Sequence, residues 1–298
     1  MVSDSSIWGK NKRMFRISKN FSTLELEKWL EGNFQNGFAV VLSSARSGLY
    51  LLFKYFFSGD TVRVFPFASQ CLVSASFNAN KCISTPLPGE IRDLYHHQWG
   101  IQQQLEAQGP IFIEDSADSL YPLGGTVLKN HAMFEVWSLP KIIGTSFGGI
   151  VWCAQTADAQ NLKKIRDNLG SQSLLTEIAF GILKNKSAYF YQKWETLQYH
   201  KPKTNIFQNM TLVSQFRKWE SIYLSRKIRF YDANFKVNNY SFTESEKIIV
   251  ENSGIIPTVV ILEKVELLGN ELKAMSKISS NGDSTKIHVF PYLQKVSS

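Results

Sequence analysis

Apolar residues in this chain fall into short unbroken runs, and between those runs the apolar positions recur at helical spacing. Ala39-Val40-Val41-Leu42 is four apolar residues in a row, which reads as a strand covered on both faces. Ahead of it, Ser22-Thr23-Leu24-Glu25 has the hydroxyl-x-x-acid pattern of a capping box and predicts a helix to about Leu30. After it comes Ser43-Ser44-Ala45-Arg46-Ser47-Gly48, then an apolar helical run over 49–57. Thr61-Val62-Arg63-Val64-Phe65 reads as a strand closed by Pro66, 68–77 as a helix, Lys81-Cys82-Ile83-Ser84 as a strand and 92–107 as a helix. Gly109-Pro110 introduces Ile111-Phe112-Ile113-Glu114-Asp115, a buried strand ending in a carboxylate. Phe134-Glu135-Val136-Trp137 and Gly149-Ile150-Val151-Trp152-Cys153 are two more strands.

Strands alternating with helices predict an α/β fold, a mostly parallel sheet sandwiched by helices. From about Ala157 the pattern turns helical, and 173–197 predicts one long helix that Lys201-Pro202 ends. Residues 201–251 are polar and ambiguous. Thr258-Val259-Val260-Ile261-Leu262, a helical stretch over 264–275, and Lys286-Ile287-His288-Val289-Phe290 then predict a strand–helix–strand unit. The expected organisation is a large domain over 1–200 and a smaller α+β domain over 201–298. Ligands of such sheets lie beyond the carboxyl ends of the strands. The loops 43–47, 66–69, 115–118 and 138–141 all fall there, so one site can gather them.

Composition narrows the classes. Hydrophobic residues make up 44% of the 298 and charged residues 19%, enough apolar side chain for a substantial core. The net charge of +8 is spread over short clusters such as Lys10-Asn11-Lys12-Arg13, so it marks a basic surface and identifies no ligand; no nucleic-acid partner is expected. The most apolar stretch, 38–57, is broken by Arg46 and Lys54, which disfavours a membrane span. Three widely spaced cysteines without a C-x-x-C suit a reducing compartment, and the first residues lack a secretory pattern. A cytoplasmic protein is the expectation. The five histidines show no metal-ligand spacing, so no metal is expected, and His96-His97 reads as an exposed polar pair on a helix. No G-x-S-x-G, P-loop or G-x-G-x-x-G motif is present.

The chemistry centres on Lys141, a lysine between the apolar run before it and the Gly148-Gly149 pair after it. Lysine is seldom placed among apolar residues without a purpose. A carboxylate at a strand end, here Asp115, followed by a lysine in a Ser138-x-x-Lys141 context suits pyridoxal 5′-phosphate (PLP). The amine would form a Schiff base with the aldehyde, and the aspartate would keep the pyridine nitrogen protonated. The hydroxyl-rich loop before 49–57 can cap a helix, or bind phosphate through backbone N–H groups with Arg46 and Ser47 beside them.

In this order the segments resemble the DegT-type sugar aminotransferases, a fold-type-I PLP family, of which this would be a short and divergent member. Glu114-Asp115-Ser116-Ala117-Asp118 is similar to the family's Glu-Asp-Ala-Ala-Gln/His strand end. Lys141-Ile142-Ile143-Gly144-Thr145-Ser146-Phe147-Gly148-Gly149 is similar to its lysine stretch, Ser44-Ala45-Arg46-Ser47-Gly48-Leu49 to its phosphate loop, and Pro66-Phe67-Ala68-Ser69 to the segment whose aromatic stacks on the cofactor. The resemblance implies a homodimeric, PLP-dependent aminotransferase acting on a keto-sugar in its nucleotide-linked form, with glutamate as amino donor, in surface polysaccharide or glycoside biosynthesis. It implies Lys141 and Asp115 as catalytic residues, and Ser47, Arg46, Phe67, Asp118 and Ser138 around the cofactor. Three departures stand out: Asp118 replaces Gln or His, Gln172 and Leu174 replace Asn and Arg, and Phe147 replaces Glu. They keep open a second reading, a non-transaminating relative that serves as a binding or regulatory subunit.

Overall fold

The computed structural model describes residues 22–64, 69–86, 92–97, 100–102, 111–183, 186–236, 244–257, 260–262, 273–278 and 284–290. Its strands are β1 (Phe38–Leu42), β2 (Thr61–Arg63), β3 (Cys82–Ser84), β4 (Leu94–His96), β5 (Ile113–Asp115), β6 (Ser119–Leu120), β7 (Phe134–Ser138), β8 (Gly149–Cys153), β9 (Ile256–Pro257), β10 (Val260–Leu262), β11 (Lys273–Ile278) and β12 (Ser284–Phe290). Its helices are α1 (Thr23–Asn33), α2 (Ala45–Tyr55), α3 (Gln70–Asn78), α4 (Leu139–Ile143), α5 (Thr156–Leu169), α6 (Leu174–Leu183), α7 (Ala188–His200), α8 (Ile206–Phe216), α9 (Trp219–Lys236) and α10 (Glu244–Ser253).

The main sheet runs β1-β8-β7-β5-β4. β4, β5 and β7 are parallel neighbours, while β8 is antiparallel to both β1 and β7. The parallel pair β2–β3 extends this sheet past β4. A bridge joins Val64 to Leu94, the Asp93 N–H donates to the Arg63 carbonyl, and the Asp93 carboxylate accepts both Arg63 Nε and Nη2 at 2.8 Å. The sheet is therefore mixed and mostly parallel, as its apolar runs predict.

Alternation along the strands divides the core between two faces. Ala39, Val41, Trp137, Ile150 and Trp152 face α1, α8 and α9. Val40, Leu42, Val136, Val151 and Cys153 face α2, α3 and α5. On the first face Trp137 packs on Trp152, Tyr121 and Trp219, and Trp29 stacks on Phe216. Residues beyond 201 thus complete the core of the main sheet.

Three expectations need correction, and one open stretch gains its elements. Residues 94–96 form strand β4, where a helix over 92–107 was expected; Leu94 is buried and the segment pairs in parallel register with β5. The single helix expected over 173–197 is two, because Ser187 N-caps α7 by accepting the Phe190 N–H. The ambiguous stretch 201–251 supplies α8, α9 and most of α10. Finally, Lys273 to Met275, expected as the end of a helix, belong to β11, in an antiparallel sheet of order β10-β12-β11; the central part of that expected helix lies outside the described residues.

Candidate active site

β5 and β7 are adjacent and parallel, so their carboxyl ends open on the same edge of the sheet. Asp115 ends β5 and Asp118 follows in the next turn. Ser138 ends β7 and N-caps α4, whose second and third residues are Pro140 and Lys141. Proline suits a helix start because its missing N–H would have no partner there. Gly144, at φ 73°, stops the helix in the left-handed conformation that glycine adopts without strain. The Lys141 side chain, 46% exposed, comes 2.9 Å from Asp118 Oδ2, while Asp118 itself is nearly buried.

The charges around Lys141 set its protonation. Burial pulls the ammonium down, and the carboxylates of Asp118 and Asp115 outweigh this and hold it above its ordinary value. Asp115 Oδ1 accepts the Ala117 N–H at 3.1 Å, and Oδ2 lies 3.3 Å from His96 Nδ1. Burial raises the Asp115 carboxyl, but His96, Lys141 and the Ala117 amide win, so it stays below the usual range. His96 is shifted the other way: burial lowers it, and Asp115 and Asp118 hold it above the ordinary histidine value.

The start of α2 lies beside the same edge. Ser44 N-caps it, accepting the Ser47 N–H at 3.1 Å. Gly148 N donates to Ser43 O at 2.7 Å. A Cβ on Gly149 would stand 2.2 Å from Ala45 N, so only glycine lets β8 approach the helix start this closely. Ser138 is the register partner of Gly149, and its hydroxyl makes no capping bond. A helix N-terminus with an uncommitted hydroxyl beside it, next to a half-exposed lysine and a buried aspartate, is a donor set that fits PLP: N–H groups for the phosphate, an amine for the aldehyde, a carboxylate for the ring nitrogen.

Two expected phosphate contacts have side chains engaged elsewhere. Ser47 is fully buried and its hydroxyl donates to Gln198 O at 2.7 Å. Arg46 turns towards Cys71 Sγ at 3.0 Å and pairs with Glu195 at 3.4 Å, its guanidinium lying 5.0 Å from the Trp194 ring centroid. Phe67 lies outside the described residues.

The histidine pair is not an exposed pair on a helix. His97 is fully buried, 2.9 Å from Glu114 Oε2, which also accepts Asn130 Nδ2. His96 faces Asp115 instead. Adjacent strand residues point to opposite faces, so reading 94–97 as extended chain would have sent the two histidines to different carboxylates. Behind the site, Glu135 is fully buried and accepts Tyr121 Oη (2.6 Å), Trp137 Nε1 (2.8 Å) and the Leu128 N–H (2.6 Å). Burial and its register partner Glu114 raise the Glu135 carboxyl, whereas His97 and Asn130 outweigh burial and lower Glu114. Among the described residues no helix is long and apolar enough to cross a membrane.

Comparison with known proteins gives this geometry a context. A family model described as "Putative PLP-dependent aminotransferase" matches residues 26–256. No curated protein sequence matches. Among solved structures, Helicobacter pylori PseC, an aminotransferase of pseudoaminic acid biosynthesis, aligns with TM-score 0.52 and 18% identity, over 73% of this chain and 64% of PseC. Spr1654 of Streptococcus pneumoniae, provisionally assigned as a sugar aminotransferase, aligns in its apo form with TM-score 0.52 and 16% identity, over 84% and 72%. A Bacillus cereus ATCC 10987 protein, provisionally assigned as a PLP-dependent aminotransferase, aligns with TM-score 0.51 and 12% identity, over 82% and 71%. At these identities the likeness is one of fold. The chain spans less than two thirds of the length of PseC.

Proposed function

The chain belongs to this family of PLP-dependent aminotransferases, and from that premise we propose that it transfers an amino group to a keto-sugar. The sugar is nucleotide-linked, glutamate is the donor, and the product serves surface polysaccharide or glycoside synthesis. The observation that carries the reading is the convergence of Lys141, Asp115 and the α2 start at one edge of the sheet. The sugar class rests on the motifs 114–118 and 141–149 and on the kinship in fold with PseC.

Bound PLP supplies an aldehyde that captures amines and a ring that accepts electrons as a proton leaves the neighbouring carbon. Asp115, held ionised by His96 and the Ala117 amide, would keep the ring nitrogen protonated. Lys141 provides the amine that anchors the cofactor. Its Nζ would also be the group that takes up and returns the substrate's α-proton. Asp118 holds Nζ on the site side of α4 and balances its charge while it waits. The α2 N–H groups and the Ser138 hydroxyl would hold the phosphate. Arg46 and Ser47 act from behind, fastening α2 to α7.

The protein works as a homodimer in the cytoplasm. Leu175, Ile178 and Ile182 leave an apolar stripe exposed on α6, a surface suited to a second copy. A larger portion to residue 200 and a smaller one from 201 remain the proposed division, joined along the packing of α8 and α9 on the main sheet.

Purified protein mixed with PLP should gain a visible absorption band that Lys141→Ala abolishes without unfolding. Glutamate should then convert that band to the amine form of the cofactor. A wild type that binds no PLP would overturn the reading, and a band that glutamate leaves unchanged would favour the non-transaminating relative.

A further inference from the structure

Helix α9 lies outside the site, yet one of its residues reaches the backbone of Lys141. Trp219, Tyr223, Arg226 and Phe230 recur at spacings of four, three and four, which puts them on one face of the helix, and all four are buried. Three are aromatic. The fourth is a buried arginine in an apolar stripe, which requires a dedicated partner. Two backbone carbonyls are among its partners: Arg226 Nη1 donates to Lys141 O at 3.0 Å and also to Ile142 O.

Those carbonyls need donors. α4 is only five residues long, so its carbonyls have no following helical turn to bond them. Gly144 turns the chain away in the left-handed conformation. The guanidinium therefore takes the place of the next turn and closes the end of the helix that carries the lysine. α9 is itself fixed, Trp219 Nε1 donating to Tyr121 O at 2.9 Å and Tyr223 Oη to Gly254 O at 2.6 Å.

We propose that Arg226 is the positioning residue for Lys141: it fixes α4 from the far side of the chain, and so fixes where Nζ stands against Asp118 and Asp115. The inference rests on the reading of Lys141 as the reactive amine, and it deepens that reading by making the placement of Nζ depend on α9. Both bonds come from one nitrogen, and the lysine ammonium stands on a chain one atom shorter, so Arg226→Lys keeps charge while weakening the double contact. Arg226→Met keeps bulk and removes both bonds.

Two measurements test it. Hydrogen exchange on the cofactor-free protein should show the amides of 139–144 opening faster in the order wild type, Arg226→Lys, Arg226→Met, about tenfold or more for the last, with β1 and β7 unchanged. The rate at which added PLP becomes covalently attached to Lys141, trapped with borohydride and read by mass, should fall in the same order, again by about tenfold for Arg226→Met. The proposal is overturned if Arg226→Lys matches the wild type in α4 exchange while Arg226→Met either matches it too or loosens the sheet and α4 together. A wild type that captures no PLP counts against the proposed function instead, and the exchange order still decides the role of Arg226.

Discussion

Asp118 Oδ2 and Lys141 Nζ stand 2.9 Å apart, a nearly buried carboxylate against a half-exposed ammonium. The pair holds the amine in its charged form, whereas capture of an aldehyde needs it neutral. Asp118→Asn should therefore lower the Lys141 pKa and raise the neutral fraction at about pH 9, below the usual lysine value. Labelling by an amine-directed reagent, read by mass at Lys141 with Lys201 as a surface control, should be faster in the variant. Equal labelling would remove Asp118 from the control of the lysine.

The His96–Asp115 contact makes a pH-dependent contribution with a definite sign. His96 is held above its ordinary value, so its contribution to stability is complete below the unfolded histidine pKa of about 6.5 and fades as pH rises through the folded value. Asp115 is held below its ordinary value, so its share fades as pH falls through the folded carboxylate value. Asp118 adds to the His96 shift and Lys141 opposes it. The Tm difference between wild type and His96→Asn should thus shrink on the alkaline side. A difference constant from about pH 5 to 9 would contradict the pairing.

Glu135 is a structural acceptor for three donors. Replacing it with leucine strands Tyr121 Oη, Trp137 Nε1 and the Leu128 N–H in a dry core. The expected cost in denaturant melts is about 3 kcal/mol or more. Glu135→Gln keeps one carbonyl acceptor and should cost about half as much.

Gly149 and Gly144 separate two reasons for glycine. An added Cβ at Gly149 meets the backbone of Ser44 and Ala45, so Gly149→Ala should cost about 3 kcal/mol and weaken phosphate binding as β8 and α2 part. Gly144 has open space around it and only its positive φ to lose, so Gly144→Ala should cost about 1 kcal/mol. Equal penalties would show that the close approach at Gly149 has no special weight.

The sequence announced those parts of the fold whose local signals agreed with their surroundings. β1, β5, β7 and β8 are dense apolar runs because both faces of the sheet are covered. The Ser22 and Ser44 caps are legible because a hydroxyl three residues before its bonded N–H is a local motif. The antiparallel direction of β8 was hidden, since alternation has no sense of direction. β4 was hidden because three residues are too few to show a period against helix formers such as Gln102 downstream. Lys141, Asp115 and Asp118 were legible as residue types at strand ends, and they meet in space. The engagement of Arg46 with Glu195 and of Arg226 with the α4 carbonyls depends on partners more than 80 residues away in the chain, and no local pattern reports it.

Three bonds at the start of α2 close very long loops. Ser43 N donates to Pro202 O, Ser43 Oγ to Lys201 O and Ser47 Oγ to Gln198 O. While the chain is being synthesised, β1 and its loop emerge more than 150 residues before the segment that fastens them. β1 must also wait for β8, the only strand it pairs with among the described residues. Closure of loops this long is slow, and the nascent chain meanwhile carries Ala39-Val40-Val41-Leu42 as an unpaired apolar strand. Truncations ending before residue 198 would keep Asp115, Asp118 and His96 around Lys141 yet lose Arg226 and leave that strand's loop unlatched. They should collect as aggregates, with chaperone demand falling once the chain passes Pro202.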